Sequence, residues 1–404
     1  HSIKNLTLKN KLKKSQNCLH NIKMNKKIVF VSTHPIQYQT PIFKKLYKLN
    51  KSFIVLFKDK IKKHTEIKDS EFEKKIKWGN DLAKNYKYEI FGKKNYFVLN
   101  LYNTYKFLKS QKIEYLILSG WNNIFYQSIF IIAKILNIKI ILRCENNFYE
   151  TSYLKKKIKI FLLTIVFKFF YKFIAIGKKN NEMYRECGVS KDKIIKSNYS
   201  IDNDFFSKKK ILKKKEAYLK DKYKTHNKKV FIFVGKFINR KGIDVLLDAI
   251  THLNNFPIVT RKSIFLLVGQ GSELTRIRKF IKLKKISNLC LINFKNQDDL
   301  KYYYKISNFL ILPSFYETWG LVVNEAMAME KPVIISNSCG CANDLVLNDK
   351  NGYIFKKGNS EELSKIIIKI LQNKKVESRL KKEVKKKLKF FSIDKNVKDI
   401  LRIT

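Results

Sequence analysis

Short apolar runs alternate with helix-forming segments along most of this chain. The segments KKIVFVS at 26–32 and KKVFIFVG at 228–235 each open a series of such alternations. Apolar runs of roughly 4–8 residues bounded by turn-forming residues are typical of buried parallel strands, and strands that alternate with helices indicate an α/β fold. Because the series begins twice, the pattern predicts two separate α/β halves.

The length and the charge distribution divide the chain further. A chain of 404 residues accommodates two domains with full cores, since a domain averages about 150 residues. The first 23 residues are basic and polar, show no secretory signal and precede Met24, so they are predicted to be a disordered or non-native arm. The predicted divisions are the arm 1–23, a first domain 24–207, a charged linker 208–229 with a short helix, a second domain 230–385 and a C-terminal helix 386–404.

Two carboxylates in the second half surround the start of a predicted helix. The pattern predicts a strand at 309–312, a helix at 320–329 and another strand at 332–335. Ligands of such units bind beyond the carboxyl ends of the strands, where a helix N-terminus attracts phosphate, so Glu317 is predicted to lie in a binding crevice. Glu325 follows Glu317 by eight residues. If the helix begins near Thr318, Glu325 therefore lies about two turns into it and roughly 12 Å beyond Glu317.

This spacing does not allow Glu317 and Glu325 to form a close pair. It suits an extended ligand with hydroxyls at both ends and anionic phosphates between them. The alternative is that Glu317 only caps the helix and that Glu325 is an ordinary solvated acid.

Several motifs appear together in one order. The second half contains VGKFINRKGIDVLLDAI at 234–250, LLVGQGSE at 266–273, LPS followed by ETWGLVVNE and KPVIIS, and CGCANDLV with NGYIF at 339–355. The first half contains KIVFVSTHPIQYQTP at 27–41 and SNYSIDNDFF at 197–206. The chain thereby resembles the family 4 glycosyltransferases, among the glycosyl transferases of group 1. The resemblance implies the GT-B fold, in which two Rossmann-like doubly wound domains face a central cleft.

The resemblance also implies roles for individual residues. Glu325 would hold ribose hydroxyls and Glu317 hydroxyls of the donor sugar. Lys236 and Lys241, which follow Gly235, would neutralise a diphosphate, although the family commonly has arginine where this chain has Lys236. We therefore expect Glu317, Lys241 and Lys236 to be catalytic. The expected donor-binding residues are Gly235, Gly269, Gly271, Phe294, Thr318, Gly320, Leu321, Val322 and Glu325.

Candidate acceptor-binding residues follow two strands of the first half. His34 follows the first strand, and Arg143 and Glu145 follow the apolar strand at 138–142. Because the carboxyl ends of parallel strands face the cleft, these three side chains are predicted to line it. The alternative for His34 is a hydrogen bond within its own turn.

The net charge of +52 raises the hypothesis of an anionic partner. The lysines are spread along the whole chain, and the abundance of Lys, Asn, Ile, Phe and Tyr is typical of an AT-rich genome, so we expect no nucleic-acid partner. Peripheral contact with anionic membrane is a second hypothesis, because 153–176 combines lysines with large apolar residues. We favour a core helix followed by a strand there, since Lys168 and Lys172 interrupt any span of about 20 apolar residues.

The six cysteines do not form a disulfide framework. Cys339 and Cys341 form a CxC pair without a matching Cys or His pair at zinc spacing, and no Asp-x-Asp motif stands at a strand end, so we expect no metal. We also expect no cofactor other than the donor substrate itself. The expected location is cytoplasmic, at the inner face of the membrane.

The function that the resemblance implies is retaining transfer of a sugar, of the hexosyltransferase type. The donor would be a nucleoside-diphosphate sugar, and the acceptor a glycan or lipid-linked molecule in bacterial surface polysaccharide or lipopolysaccharide biosynthesis. The alternatives are a nucleotide-sugar epimerase, a polysaccharide phosphorylase, and a non-enzymatic basic protein that binds anionic membrane or nucleic acid.

Overall fold

The chain contains two parallel β-sheets, each covered by helices. The structure, a computed structural model, describes residues 26–58, 66–69, 74–77, 82–92, 97–148, 152–207 and 211–403. The predicted N-terminal arm lies outside these described residues. The α/β prediction is confirmed, and the two series of strands form the two sheets.

The first sheet has seven parallel strands in the order β5-β2-β1-β6-β7-β8-β9. Its strands are β1 (Ile28–Ser32), β2 (Phe53–Phe57), β5 (Tyr88–Ile90), β6 (Tyr115–Leu118), β7 (Lys139–Leu142), β8 (Lys172–Ala175) and β9 (Ile194–Lys196), while β3 (Glu66–Asp69) and β4 (Lys74–Lys77) form a separate antiparallel pair. The helices of this half are α1 (Thr40–Leu49), α2 (Phe97–Ser110), α3 (Ile124–Ile135), α4 (Tyr153–Phe167) and α5 (Lys178–Glu186), with a 3-10 turn at Lys191–Lys193.

The second sheet has six parallel strands in the order β12-β11-β10-β13-β14-β15. Its strands are β10 (Lys229–Val234), β11 (Ser263–Val268), β12 (Leu289–Ile292), β13 (Phe309–Leu312), β14 (Val333–Ser336) and β15 (Gly352–Phe355). The helices that follow the first sheet are α6 (Lys213–Lys222), α7 (Ile243–Asn254), α8 (Pro257–Lys262), α9 (Leu274–Leu283), α10 (Gln297–Ile306), α11 (Leu321–Ala328), α12 (Ser360–Gln372), α13 (Val376–Leu388) and α14 (Ile393–Leu401), with a 3-10 turn at Asn239–Lys241.

Both strand orders are those of doubly wound sheets. In each sheet the first strand, β1 or β10, lies in the interior. The strands that follow it are added on one side, and the chain then crosses back and adds the remaining strands on the other side. The order therefore reverses between β1 and β6 in the first sheet and between β10 and β13 in the second. Ligands of open α/β sheets bind at this reversal, outside the carboxyl ends of the strands. Ser32 and Gly235 stand at these positions, at the end of β1 and just after β10.

The predicted linker contains a helix that packs on the second half. Helix α6 contacts α10, where Lys215 Nζ lies 2.6 Å from a carboxylate oxygen of Asp299. The last helix returns to the first half: α14 packs on α1, and Val397 and Ile400 are buried in one apolar cluster with Phe43. This helix begins after Ser392, whose side-chain oxygen caps it, so 386–404 is not one continuous helix. The residue boundaries of the two domains stay predictions.

The core-helix interpretation of 153–176 is wrong for most of its helix. Helix α4 and strand β8 form in this segment, but only Leu163 and Phe167 of the helix are buried. The opposite face of α4 carries large apolar side chains that are exposed. Among the described residues, no helix is both long and apolar enough to cross a bilayer.

Candidate active site

A cavity of about 320 Å³ lies between the two halves of the molecule. Residues of both halves form its wall, and the second half supplies most of them. The predicted site residues in the wall are Gly235, Lys236, Lys241, Gly269, Phe294, Glu317, Thr318, Gly320, Leu321, Val322, Glu325 and, from the first half, Glu145.

Glu325 is a buried carboxylate at the floor of this cavity. Its Oε1 accepts hydrogen bonds from Tyr38 Oη at 2.7 Å and from Gln297 Nε2 at 3.2 Å, and its Oε2 accepts one from Tyr304 Oη at 2.7 Å. Burial raises the pKa of Glu325, while the three hydrogen bonds lower it. Burial and the neighbouring carboxylate hold the pKa values of both tyrosines well above 10, so they remain neutral donors. The alternative of a solvated acid is therefore wrong for Glu325.

Glu317 forms an ion pair with Lys241 in the wall of the cavity. Lys241 Nζ donates to Glu317 Oε2, and only about one eighth of each side chain is exposed. Glu317 does not cap the helix, because the residue that precedes α11 is Gly320. The pair places one fixed cation and one carboxylate at the same side of the cavity.

Backbone contacts bring the two members of this ion pair together. The backbone N–H of Phe315 donates to the carbonyl of Arg240 at 2.9 Å, which joins the loop after β10 to the loop after β13. At Gly242 a side chain would meet the carbonyl oxygen of Pro313 at 2.2 Å, and the backbone φ of 63° also favours glycine. Glycine at position 242 therefore allows the loop that carries Lys241 to pack against the loop that carries Glu317.

Helix α11 begins later than the sequence predicted. Its first residue is Leu321, because Gly320 has a left-handed φ of 97° that residues other than glycine rarely adopt. Glu325 thus lies just over one turn into the helix rather than two. Leu321 and Val322 form the N-terminal end of α11 in the cavity wall, where the helix dipole favours an anionic group.

Besides Gly320, three glycines were predicted to bind the donor, and their surroundings differ. Gly235 and Gly269 line the cavity, whereas Gly271 does not. A side chain on Gly269 would meet the carbonyl oxygen of Gly235 at 1.8 Å, so the two strand ends pack backbone to backbone. Gly271 packs against the backbone of Phe237. Gly271 therefore has a structural role, and its prediction as a donor-binding residue from the GxG pattern is wrong.

The acceptor candidates are only partly brought to the cavity. Glu145 lines it and accepts a hydrogen bond from Tyr199 Oη at 2.5 Å. Arg143 is buried beneath, with its guanidinium carbon 5.0 Å from the centre of the Tyr199 ring. His34 is exposed outside the wall, and its Nδ1 lies 2.9 Å from the hydroxyl of Thr33, as the alternative of a local contact proposed. The loop turns after His34, so Gln37 and Tyr38 reach the cavity instead.

Aromatic residues that the sequence did not identify connect the two halves at this site. The ring of Tyr199 stacks on Trp319 with 6.2 Å between centroids. Trp319 Nε1 donates to Asn324 Oδ1 at 2.8 Å, and Asn324 Nδ2 donates to the carbonyl of Tyr199 at 3.2 Å. Trp319 lies inside the ETWGLVVNE motif, and this position was the one feature of the sequence that could have identified it as a site residue. Tyr38 and Tyr199 lie far from that motif in sequence.

The CxC pair supports the loop that carries Glu317. The backbone N–H of Gly340 donates to the carbonyl of Glu317, and that of Cys341 donates to the carbonyl of Trp319. Both thiols are buried, and burial raises the pKa of Cys339 to about 12. Within the described ranges, no three His, Cys, Asp or Glu side chains come close enough together to hold a metal ion.

The arrangement of the two halves is similar to that of solved structures. The chain is similar to the crystal structure of HepE from Anabaena in complex with UDP and glucose, with a TM-score of 0.70 at 14% identity, over 93% of this chain and 98% of that one. This likeness establishes the fold, and the GT-B prediction is confirmed.

Sequence comparisons match about half of the chain. Residues 214–387 match the family model described as "Glycosyl transferases group 1". An uncharacterized glycosyltransferase of Methanocaldococcus jannaschii is 30% identical over 43% of this chain and 46% of its own length. The alpha-monoglucosyldiacylglycerol synthase of Acholeplasma laidlawii is 28% identical over 51% of this chain and 55% of its own length. The chain thus spans about half the length of these two relatives. Residues 214–387 are thus similar to glycosyl transferases of group 1.

Proposed function

We propose that this chain is a retaining glycosyltransferase of family 4 that transfers a sugar from a nucleoside-diphosphate donor to a glycan or lipid-linked acceptor. The observation that carries the proposal is one cavity that holds the Lys241–Glu317 ion pair, the N-terminus of α11 and the buried carboxylate of Glu325. Cations and helix N–H groups stabilise the charge that develops on a leaving diphosphate. Carboxylates accept hydrogen bonds from ribose and sugar hydroxyls.

The proposed reaction needs no enzymatic nucleophile. The bond between the anomeric carbon and the diphosphate oxygen breaks, and the acceptor oxygen bonds to the same face of that carbon. The leaving phosphate oxygen takes the proton of the acceptor hydroxyl. Lys241 and Lys236 meet the negative charge of the diphosphate, while Glu317 holds the sugar. The hydrogen bonds already made by Glu317 and Glu325 favour binding roles over attack on the sugar.

The relatives support the choice of substrates. HepE was crystallised with UDP, and the name of the relative from Acholeplasma describes a glycolipid product. We propose UDP-linked sugar as the first donor to test and a lipid-linked or glycan acceptor of the bacterial cell surface. The proposal includes no metal and no cofactor. The cytoplasmic location stays a prediction.

The test distinguishes the proposed roles of Glu325 and Glu317. Glu325→Ala is expected to weaken nucleotide binding, because the ribose loses its acceptor, and Glu317→Ala is expected mainly to lower turnover. Thermal shifts with UDP, GDP, ADP and CDP measure binding, and release of the nucleoside diphosphate measures turnover. Glu383→Ala removes an exposed carboxylate of helix α13 that does not line the cavity, and it is the matched control. Kinetics and nucleotide binding unchanged in both site variants would contradict the proposal.

Two further measurements separate the alternatives. Incubation with donor alone would yield an epimer if the chain were a nucleotide-sugar epimerase, and inorganic phosphate would be required as a co-substrate for a phosphorylase. NMR of the anomeric proton of the transferred sugar distinguishes retention from inversion. An inverted product would contradict the proposed mechanism while leaving the transferase activity in place.

A further inference from the structure

Helix α4 has two apolar faces, and one of them is exposed. The inner face packs Leu163 and Phe167 into the first half. On the outer face, Leu154, Ile158, Phe161, Leu162 and Ile165 are between 46% and 73% exposed. These five residues are spaced at i, i+4, i+7, i+8 and i+11, so they form one continuous stripe along the helix.

Lysines border this outer stripe on both sides. At 3.6 residues per turn, Lys155 and Lys159 lie along one edge of the stripe, and Lys157 lies along the other. All three are exposed. Lysine stems extend along apolar surface while the ammonium groups remain in water, so the arrangement presents an apolar strip with positive charge at both edges.

Helix α3 carries further exposed apolar side chains and contacts the residue that follows α4 by two positions. Ile131 and Ile135 of α3 are 57% and 65% exposed. Lys134 Nζ lies 5.9 Å from the centre of the Phe169 ring, which is itself half exposed and follows α4. Helices α2, α3 and α4 contain no Asp or Glu. We name the surface formed by the outer stripe of α4 with Ile131, Ile135 and Phe169 the α4 face.

We propose that the α4 face docks on the surface of a bilayer that contains anionic lipid. Contiguous exposed apolar patches mark interaction sites. A helix with its apolar stripe between lysines lies in the headgroup region, where the stripe enters the acyl boundary and the lysines contact phosphates. The three helices bring no carboxylate of their own, and the nearby carboxylate of Glu186 is paired with Lys156 at 2.7 Å, so repulsion of anionic lipid is weak. A groove on another protein would not require cations along both edges of the stripe.

The docked orientation would place the cavity near the lipid surface. Strand β7 ends at the edge of the first sheet that faces the cavity, and α4 follows that edge in the chain. Glu145 lies in the connection between them and lines the cavity. The inference does not depend on sugar transfer, because membrane binding can be measured without donor or acceptor.

The experiment is co-sedimentation of the full chain with vesicles of phosphatidylcholine alone or with added phosphatidylglycerol. We expect binding to the anionic vesicles at about 0.15 M salt. The triple variant Ile158→Gln, Phe161→Gln and Leu162→Gln should bind at least tenfold more weakly. The matched control replaces three exposed apolar residues of the described second half, Leu212→Gln, Ile258→Gln and Leu283→Gln, and should bind as the wild type does.

A second pair of variants tests the charges. Lys155→Gln, Lys157→Gln and Lys159→Gln together should weaken binding to anionic vesicles more than the equal loss of charge in Lys262→Gln, Lys279→Gln and Lys282→Gln. The control lysines are exposed in the second half. Equal losses in the two lysine variants would overturn the proposal, because binding would then follow net charge alone.

Three other results would also overturn it. The first is a wild-type chain that does not bind anionic vesicles, and the second is an apolar variant that binds as well as the wild type. The third is a wild-type dimer that the apolar variant disrupts, without vesicle binding, which would assign the α4 face to a second copy of the chain. The melting temperature of each variant, measured without nucleotide, serves as the check on folding. A variant that keeps the melting temperature of the wild type but loses vesicle binding supports the α4 face independently of the proposed activity.

Discussion

Tyr38 Oη donates a hydrogen bond of 2.7 Å to Glu325 Oε1 across the cleft between the two halves. Gln297 donates to the same oxygen, so both of its usual acceptor positions are occupied. A ribose hydroxyl that binds this oxygen has to displace one of the two donors. Tyr38 is the donor from the other half of the molecule, and opening of the cleft would remove it.

Tyr38→Phe is therefore expected to tighten nucleoside-diphosphate binding. The variant removes the tyrosine hydroxyl and leaves the hydrogen bond from Gln297 to Oε1. A ribose hydroxyl can then bind this oxygen without breaking the hydrogen bond from Tyr38. A net hydrogen bond is worth about 0.5–1.5 kcal/mol, which corresponds to a decrease in Kd of about 2- to 10-fold. Isothermal titration calorimetry with UDP measures the Kd of the variant and of the wild type.

Tyr304→Phe is the control for this prediction. Tyr304 is fully buried, does not line the cavity and donates to the other oxygen of Glu325. Its loss should lower the melting temperature without tightening nucleotide binding. Weaker binding in Tyr38→Phe would contradict the competition between tyrosine and ribose and would indicate that Tyr38 contacts the ligand.

Gly235→Ala should weaken nucleotide binding without disturbing the fold. A β-carbon at Gly235 has the ring of Phe233 at 3.3 Å as its nearest neighbour, and side-chain rotation relieves this contact. The new methyl group would stand in the cavity wall where the diphosphate is proposed to approach the backbone. The melting temperature and the UDP affinity are measured together. Gly269→Ala gives the contrast, since its side chain would meet a backbone oxygen at 1.8 Å and should destabilise the protein itself. Unchanged UDP affinity in Gly235→Ala would exclude close approach of the ligand there.

Cys339 and Cys341 should resist alkylation in the native protein. Both are fully buried, and burial raises the pKa of each thiol, which lowers the fraction of reactive thiolate near neutral pH. Half-buried Cys290 is the internal comparison and should react with iodoacetamide sooner. Peptide mapping by mass spectrometry follows the three sites, and concentrated urea should make them equally reactive. Fast native labelling of Cys339 would show that its loop opens.

Glu377→Gln should destabilise the fold in a pH-dependent manner. Glu377 accepts hydrogen bonds from Lys229 Nζ at 2.6 Å and from Asn308, and it forms an ion pair with Lys381. Burial alone would raise the pKa of Glu377, but these three contacts lower it from 4.5 to about 2. Because the folded pKa lies below the unfolded one, the stabilisation is fully present above about 4.5 and is lost as the pH falls toward 2. The shift corresponds to roughly 3 kcal/mol at 1.36 kcal/mol per unit.

Urea unfolding at about pH 7 and about pH 4 tests this linkage. The difference in free energy of unfolding between the wild type and Glu377→Gln should be smaller at the lower pH. Glu383→Gln, in the same helix with an exposed side chain, is the control and should cost less than about 1 kcal/mol. A penalty for Glu377→Gln that does not change with pH would rule out the ion pairs as its cause.

Much of the second half follows from local sequence. Strand β13 was predicted with its observed bounds, because four consecutive apolar residues in a parallel sheet are buried on both faces. Gly235, Lys241 and Glu317 were placed in one site because each follows a strand, and parallel strands end at one edge of the sheet. The start of α11 was misplaced, since nothing local reveals that Gly320 adopts a left-handed conformation.

The sequence by itself predicted the two α/β halves, the strand ends that Lys241 and Glu317 follow, and the helix that carries Glu325. These depend on periodicity and on motifs that are contiguous in the chain. The tertiary structure decided that Tyr38 and Tyr199 meet the second half, that His34 turns away from the cavity, and that the outer stripe of α4 remains uncovered. Contacts between distant residues depend on how the two halves pack, and an apolar stripe has the same sequence pattern whether a core covers it or solvent does.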